Sequence, residues 1–243
     1  ADGNLDTLLV LQNYFSALYP DLDTQTEGTI TLYDKDGGVL GKQPFSVAHC
    51  GGAKFRVSHL LEGLPSASGI TYGTLQVHIA IPRKVLEHIK GELTSFYFWD
   101  RFYLGYTNRQ GQTCFVHGVD KTHIFVDDKA DPIDWYRKPR AHQWAPEIPV
   151  DIEDYRKFSV ILINRTARAS EVTLTLSDDH DHCQLWRDSI PAKGVRRFEL
   201  TAADTQDLLP RELRMRVQGM TTQYGRPVVF KEFANGAISA MHC

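Results

Sequence analysis

The residues of this chain best equipped for chemistry are two histidines. Each closes one of two similar segments, GQTCFVH (Gly111 to His117) and GAISAMH (Gly236 to His242). When the glycines are aligned, the histidines align as well. Neutral imidazole is a good ligand for zinc, copper or iron, and a cysteine thiolate is another. Cys243 directly follows His242. His117, His242 and Cys243 therefore form the candidate metal set, with zinc or iron as the candidate ion and metal-activated water attack as the chemistry it would support. The plain alternative is a histidine at a strand end, bonded to a backbone carbonyl.

Three further clusters carry reactive groups. Asp178-Asp179-His180-Asp181-His182-Cys183 is a run of metal-binding side chains, but it aligns with the hairpin signal Asp34-Lys35-Asp36-Gly37-Gly38 and so reads first as an exposed turn. His49-Cys50-Gly51-Gly52 aligns with Ala192-Lys193-Gly194 and reads as a tight turn whose glycines permit positive φ. FYFWDRFYLGY (Phe96 to Tyr106) is aromatic on both faces if it is a strand. Trp99, Arg101 and Tyr103 in that stretch, with Trp135 and Trp144 downstream, are the candidate ligand-binding residues. Flat rings beside a guanidinium suit a glycan, a planar small molecule or a protein partner. There is no nucleophile elbow, P-loop, dinucleotide fingerprint, H-E-x-x-H or paired C-x-x-C.

The elements that must position these residues occur twice, in the same order. LLVLQN (Leu8 to Asn13) is echoed by SVILIN (Ser159 to Asn164), ITLYDKDG (Ile30 to Gly37) by LTLSDDHD (Leu174 to Asp181), and KFRV (Lys54 to Val57) by RFEL (Arg197 to Leu200). FYFWDRF (Phe96 to Phe102) is matched to VVFKEF (Val228 to Phe233), ahead of the two histidine segments. Short apolar or alternating runs separated by turn signals predict strands throughout, and six or seven of them per repeat predict a β-sandwich. The expected architecture is all-β. It comprises a first sandwich at 1–129, a Pro/Trp-rich irregular linker at 130–155 and a second sandwich at 156–243. A short helix is expected at 83–93, one helical turn at 59–64 and helical spacing at 202–209, and YFSALYPDLDTQTEG is an insertion for which the second repeat has only a brief turn.

In the second repeat, VILIN, VTLTLSDD, IPAKGVRRFEL, RPVVFKEF and GAISAMH together resemble the small bacterial sensory-rhodopsin transducer family. The resemblance covers about a third of the chain directly and another third through the internal repeat. It rests on strand-and-turn patterns. It implies a β-sandwich that assembles into oligomers and binds other molecules rather than catalysing a reaction, and it carries over no catalytic residue.

Composition narrows the rest. A net charge of −3 gives no electrostatic reason to expect nucleic acid. No apolar run is long enough to span a bilayer, and the first residues lack the pattern of a signal peptide. Four cysteines are too few for a disulfide scaffold, so reduced thiols and a cytoplasmic location are expected. The functional expectation is a non-catalytic ligand-binding or assembly protein whose partner is a small molecule, a glycan or a protein, with homo-oligomers expected. The metal-dependent reading on the paired histidines is the alternative.

Overall fold

Alternating apolar residues fold this chain into four antiparallel sheets, two in each repeat. The computed structural model describes residues 5–69, 72–88, 102–117, 147–150, 155–164, 168–178, 183–201, 213–219 and 227–242. In the first unit, β1 (Leu5–Gln12), β4 (Gly52–Arg56), β6 (Phe102–Asn108) and β7 (Thr113–His117) form one sheet in the order β4-β1-β6-β7. β2 (Thr26–Asp34), β3 (Val39–Val47) and β5 (Gly73–Ile79) form the other, in the order β3-β2-β5. In the second unit, β9 (Tyr155–Ile163), β12 (Val195–Leu200), β14 (Val228–Phe233) and β15 (Ile238–His242) repeat the first sheet as β12-β9-β14-β15. β10 (Ser170–Ser177), β11 (Cys183–Ile190) and β13 (Leu213–Gly219) repeat the second, extended by β8 (Glu147–Val150) to give β11-β10-β13-β8. The helices α1 (Tyr14–Leu18), α2 (Val57–Leu61) and α3 (Arg83–His88) all belong to the first unit.

Each unit is a sandwich because period-2 alternation gives both of its sheets an apolar inner face. Phe158, Val160 and Leu162 on β9 meet Val172, Leu174 and Leu176 on β10 and Leu213, Met215 and Val217 on β13 in one buried cluster. Leu9 and Leu11 on β1 meet Ile30 and Leu32 on β2 in the other. Pro44 sits on β3, the outer strand of its sheet, where a missing N–H costs no ladder bond. In the insertion, α1 buries Phe15 against Val85 of α3.

Two expectations need correction. The segment 130–155 is not irregular throughout: Glu147–Val150 pairs with β13 and contributes Ile148 and Val150 to the second core. The match of FYFWDRF to VVFKEF is out of register. β1 pairs Leu9 with Leu104 of β6, whereas β9 pairs Val160 with Val229 of β14, so the counterpart of VVFKEF begins at Tyr103.

The recurring Asn at the end of β1 and β9 has a structural cause. Asn13 Nδ2 donates to the carbonyls of Thr24 (2.8 Å) and Ala48 (2.9 Å). Asn164 Nδ2 donates to those of Arg168 (2.7 Å), Ile190 (2.9 Å) and Pro191 (3.0 Å). In both units a buried amide satisfies backbone carbonyls where one sheet crosses to the other. The adjoining turns also match. Gly51 N–H bonds to Ala48 O and Gly194 N–H to Pro191 O. The positive φ falls on Cys50 (54°) and Lys193 (60°), not on Gly51 or Gly52 as the sequence had implied.

Candidate functional site

The β6–β7 and β14–β15 hairpins are built by the same local rule. Asn108 N–H bonds to Gln112 O and Phe233 N–H to Ala237 O, and each turn is closed by a glycine with positive φ, Gly111 (80°) or Gly236 (82°). The turns set equal registers, Tyr103 opposite His117 and Val228 opposite His242.

The hairpins then meet along a seam. Asn108 Nδ2 donates to Gly236 O at 2.9 Å, and the Tyr106 and Phe230 rings pack edge-on at 5.7 Å. At the far end the Nε2 atoms of His117 and His242, 125 residues apart in sequence, are in direct hydrogen-bonding contact. Their ring centroids lie 3.9 Å apart, with the planes at 80°. Of these three contacts only the histidine pair joins equivalent positions, since Tyr106 corresponds to Lys231 and Asn108 to Phe233. The sequence had left two arrangements open, the histidines together or in two equivalent pockets, and here they are together. Cys243, the third residue of the candidate metal set, lies outside the described residues, as do Trp99, Arg101, Trp135 and Trp144. Among the described residues no three His, Cys, Asp or Glu side chains converge on a common point.

A second contact joins the units elsewhere. Asp34 Oδ1 accepts from the Asp36 and Gly38 N–H groups at 2.8 Å each and shapes the β2–β3 turn. That turn presents Lys35 O to Val195 N–H at 2.9 Å and to Arg196 Nη1 at 3.2 Å. Arg196 also binds Asp36 (3.1 Å) and, through Nε, Asp188 (3.2 Å). The Asp-Lys-Asp-Gly-Gly hairpin, in which the sequence showed no site, is therefore a docking element. Its counterpart in the Asp178–Cys183 run falls on residues 179–182, which are outside the described residues.

Tyr103 is the member of the aromatic set that the structure describes, and it stands beside the histidine pair. The register aligns Lys54, Val10, Tyr103 and His117 across the outer face of the β4-β1-β6-β7 sheet, with Arg56, Leu8, Gly105 and Phe115 in the adjacent row. Phe115 is 55% exposed, and its ring lies over Gly105, where a Cβ would approach it to 2.7 Å. In the second unit the positions of Gly105 and Phe115 are held by Phe230 and Ala240. The large ring has moved one strand inward and is 9% exposed. Sequence reasoning overlooked Phe115, although its alternation with His117 on a predicted strand was the available signal.

Electrostatics add two points. Burial, with a smaller contribution from the Cys114 thiol, pushes Tyr106 up to about 12. Burial also raises the Cys114 thiol, partly offset by backbone groups including that of Ala240 across the seam, so Cys114 is not an activated thiolate. Cys50 is exposed on its turn.

Fold and seam together define a duplicated β-sandwich protein. No protein-family profile matches the chain, and no curated protein is similar to it. Among solved structures, a tetra-tandem repeat from the extending region of a large adhesion protein is 11% identical, with a TM-score of 0.19; the match covers 92% of this chain and 42% of that one. An exo-chitosanase from Amycolatopsis orientalis, in complex with PNP-β-D-glucosamine, is 13% identical, with a TM-score of 0.15, over 91% of this chain and 24% of that one. At such scores neither likeness carries an argument about fold or function. No helix among the described residues is long and apolar enough to cross a membrane.

Proposed function

We propose that this protein is a non-catalytic assembly module, and that it docks a second copy of itself on the outer face of the β4-β1-β6-β7 sheet. One observation carries the reading: outer-face positions that are buried in one unit are more exposed in the other. In the second unit the outer-face residues Ser159, Val195, Val228 and Phe230 are all buried, with Lys35 and Tyr106 of the first unit against them. In the first unit the counterpart of Ser159, Leu8, is only partly covered, and that of Val228, Tyr103, is exposed; Phe115 is largely exposed where Ala240 is partly covered, while Val10 and its counterpart Ile161 are covered alike. A face that already packs against a sister sandwich within the chain is suited to another of the same fold. Lys54 and Arg56 border it, and Arg56 is tied to Asp6 at 2.9 Å. Exposed aromatic side chains with polar neighbours are the composition of an interface centre.

Sedimentation velocity over a hundredfold concentration range tests this. Wild-type protein is expected to shift from monomer to dimer, and Phe115→Glu or Tyr103→Ser to remain monomeric with an unchanged fold by circular dichroism. A wild-type chain that is monomeric throughout, or variants that associate as the wild type does, would overturn the reading. Binding of a soluble glycan by a strictly monomeric wild type would overturn it in favour of the carbohydrate alternative.

A further inference from the structure

The seam contains a contact that the assembly reading does not use. Two neutral imidazoles in Nε2-to-Nε2 contact can share one proton, but the same two lone pairs can instead converge on a cation. We propose that His117 and His242 form a bis-imidazole site for a divalent first-row transition ion, zinc in the first instance, that clasps the two sandwiches together at the far end of the seam. The proposal is independent of the outer-face docking described above.

The geometry carries it in three ways. First, the pairing atoms are both Nε2, each at the tip of a ring held at the last residue of its strand by an identical hairpin register. The strands fix the two backbones, so only the two side chains need move to receive an ion. Second, the rings stand at 80° to one another with their centroids 3.9 Å apart. Two metal–nitrogen bonds of about 2.0–2.1 Å at a tetrahedral angle need an Nε2-to-Nε2 separation of about 3.3 Å. A small outward rotation of either side chain gives that separation without moving a strand. Third, His117 and His242 are partly exposed, so an ion can reach the pair from solvent. Binding requires both rings neutral, with the remaining proton on Nδ1. Imidazole donors favour zinc, copper or nickel over magnesium or calcium.

The test is calorimetric titration of zinc chloride alone into the full chain, paired with thermal unfolding. The expected result is one ion per chain and a rise in Tm for the wild type. Affinity should fall at least tenfold in His117→Gln and in His242→Gln, variants that keep a polar side chain of similar length and whose fold is checked by circular dichroism. The control is His180→Ala/His182→Ala, which disarms the other histidine cluster; zinc binding should survive there unchanged. The proposal is overturned if folded wild type binds no zinc. It is also overturned if both glutamine variants bind zinc as the wild type does, or if binding disappears in the control alone.

Discussion

Leu174 and Ile30 occupy equivalent positions and both are fully buried, yet their surroundings differ. Leu174 lies opposite Trp186 and Val217, within a cluster of fourteen buried side chains. Ile30 lies opposite Gln43 and Val77, in a cluster with four buried members ringed by partly exposed ones. The second sandwich has an extra strand, β8, on one sheet and a covered outer face on the other. Among the described residues the first has neither, and it carries the helices α1, α2 and α3. One duplicated plan thus yields a unit that serves mainly as a closed core and a unit that keeps surface in reserve.

The largest expected effect contrasts the cores directly. Leu174→Ala should cost about 3–5 kcal/mol, because tightly packed neighbours cannot collapse into the cavity. Ile30→Ala should cost about 2–3 kcal/mol, because half-exposed side chains can move in. Urea unfolding measures both, and equal costs would erase the distinction between the units. Next comes the docking turn. Gly37 has φ 87°, and a Cβ there would stand 1.9 Å from Ala192 O of the other unit. Gly37→Ala should therefore cost about 2–4 kcal/mol, adding a backbone clash to left-handed strain. Gly111→Ala, at φ 80° with open space around it, should cost only about 1–2 kcal/mol.

The asparagine pair gives a smaller contrast. Asn164→Ala leaves three carbonyl partners unmet and should cost about 2–3 kcal/mol, whereas Asn13→Ala leaves two and should cost about 1–2 kcal/mol. The buried Asn13 Oδ1 has no hydrogen-bond partner, which already diminishes its worth. The smallest effect is alkaline. Tyr106, whose counterpart is Lys231, is held neutral by burial up to about 12, from an ordinary value of 10.0. Its folded value is the higher one, so its share of stability is complete below pH 10 and is lost as pH rises towards 12. Tyr106→Phe should flatten the fall in Tm across that window. An unchanged slope would mean the phenol does not titrate with the seam.

Much of the fold was readable because period-2 alternation and turn residues are local properties. The offset between the two histidine segments was also visible, since the hairpin glycines fix it. The displaced match at Phe96–Phe102 failed for a physical reason. Aromatic residues alternate with one another in that sequence, so alternation cannot set a register, and only pairing with Leu9 and Val160 reveals that Tyr103 is the counterpart of Val228. β8 was hidden by the prolines around it, because four residues on a sheet edge carry too short an alternation to stand out. The contact of Lys35 with Val195 is backbone to backbone, and no side-chain pattern encodes it. Phe115 was hidden differently: its role depends on Gly105 opposite it, a pairing set by the hairpin register.

The most direct test of the open-face account is amide hydrogen exchange measured at low and high protein concentration. The account predicts that protection of Tyr103 to Gly105 and Phe115 to His117 rises with concentration, while β14 and β15, already covered within the chain, stay constant. Exchange in the β6–β7 hairpin that is independent of concentration, or that changes equally in both hairpins, would contradict it.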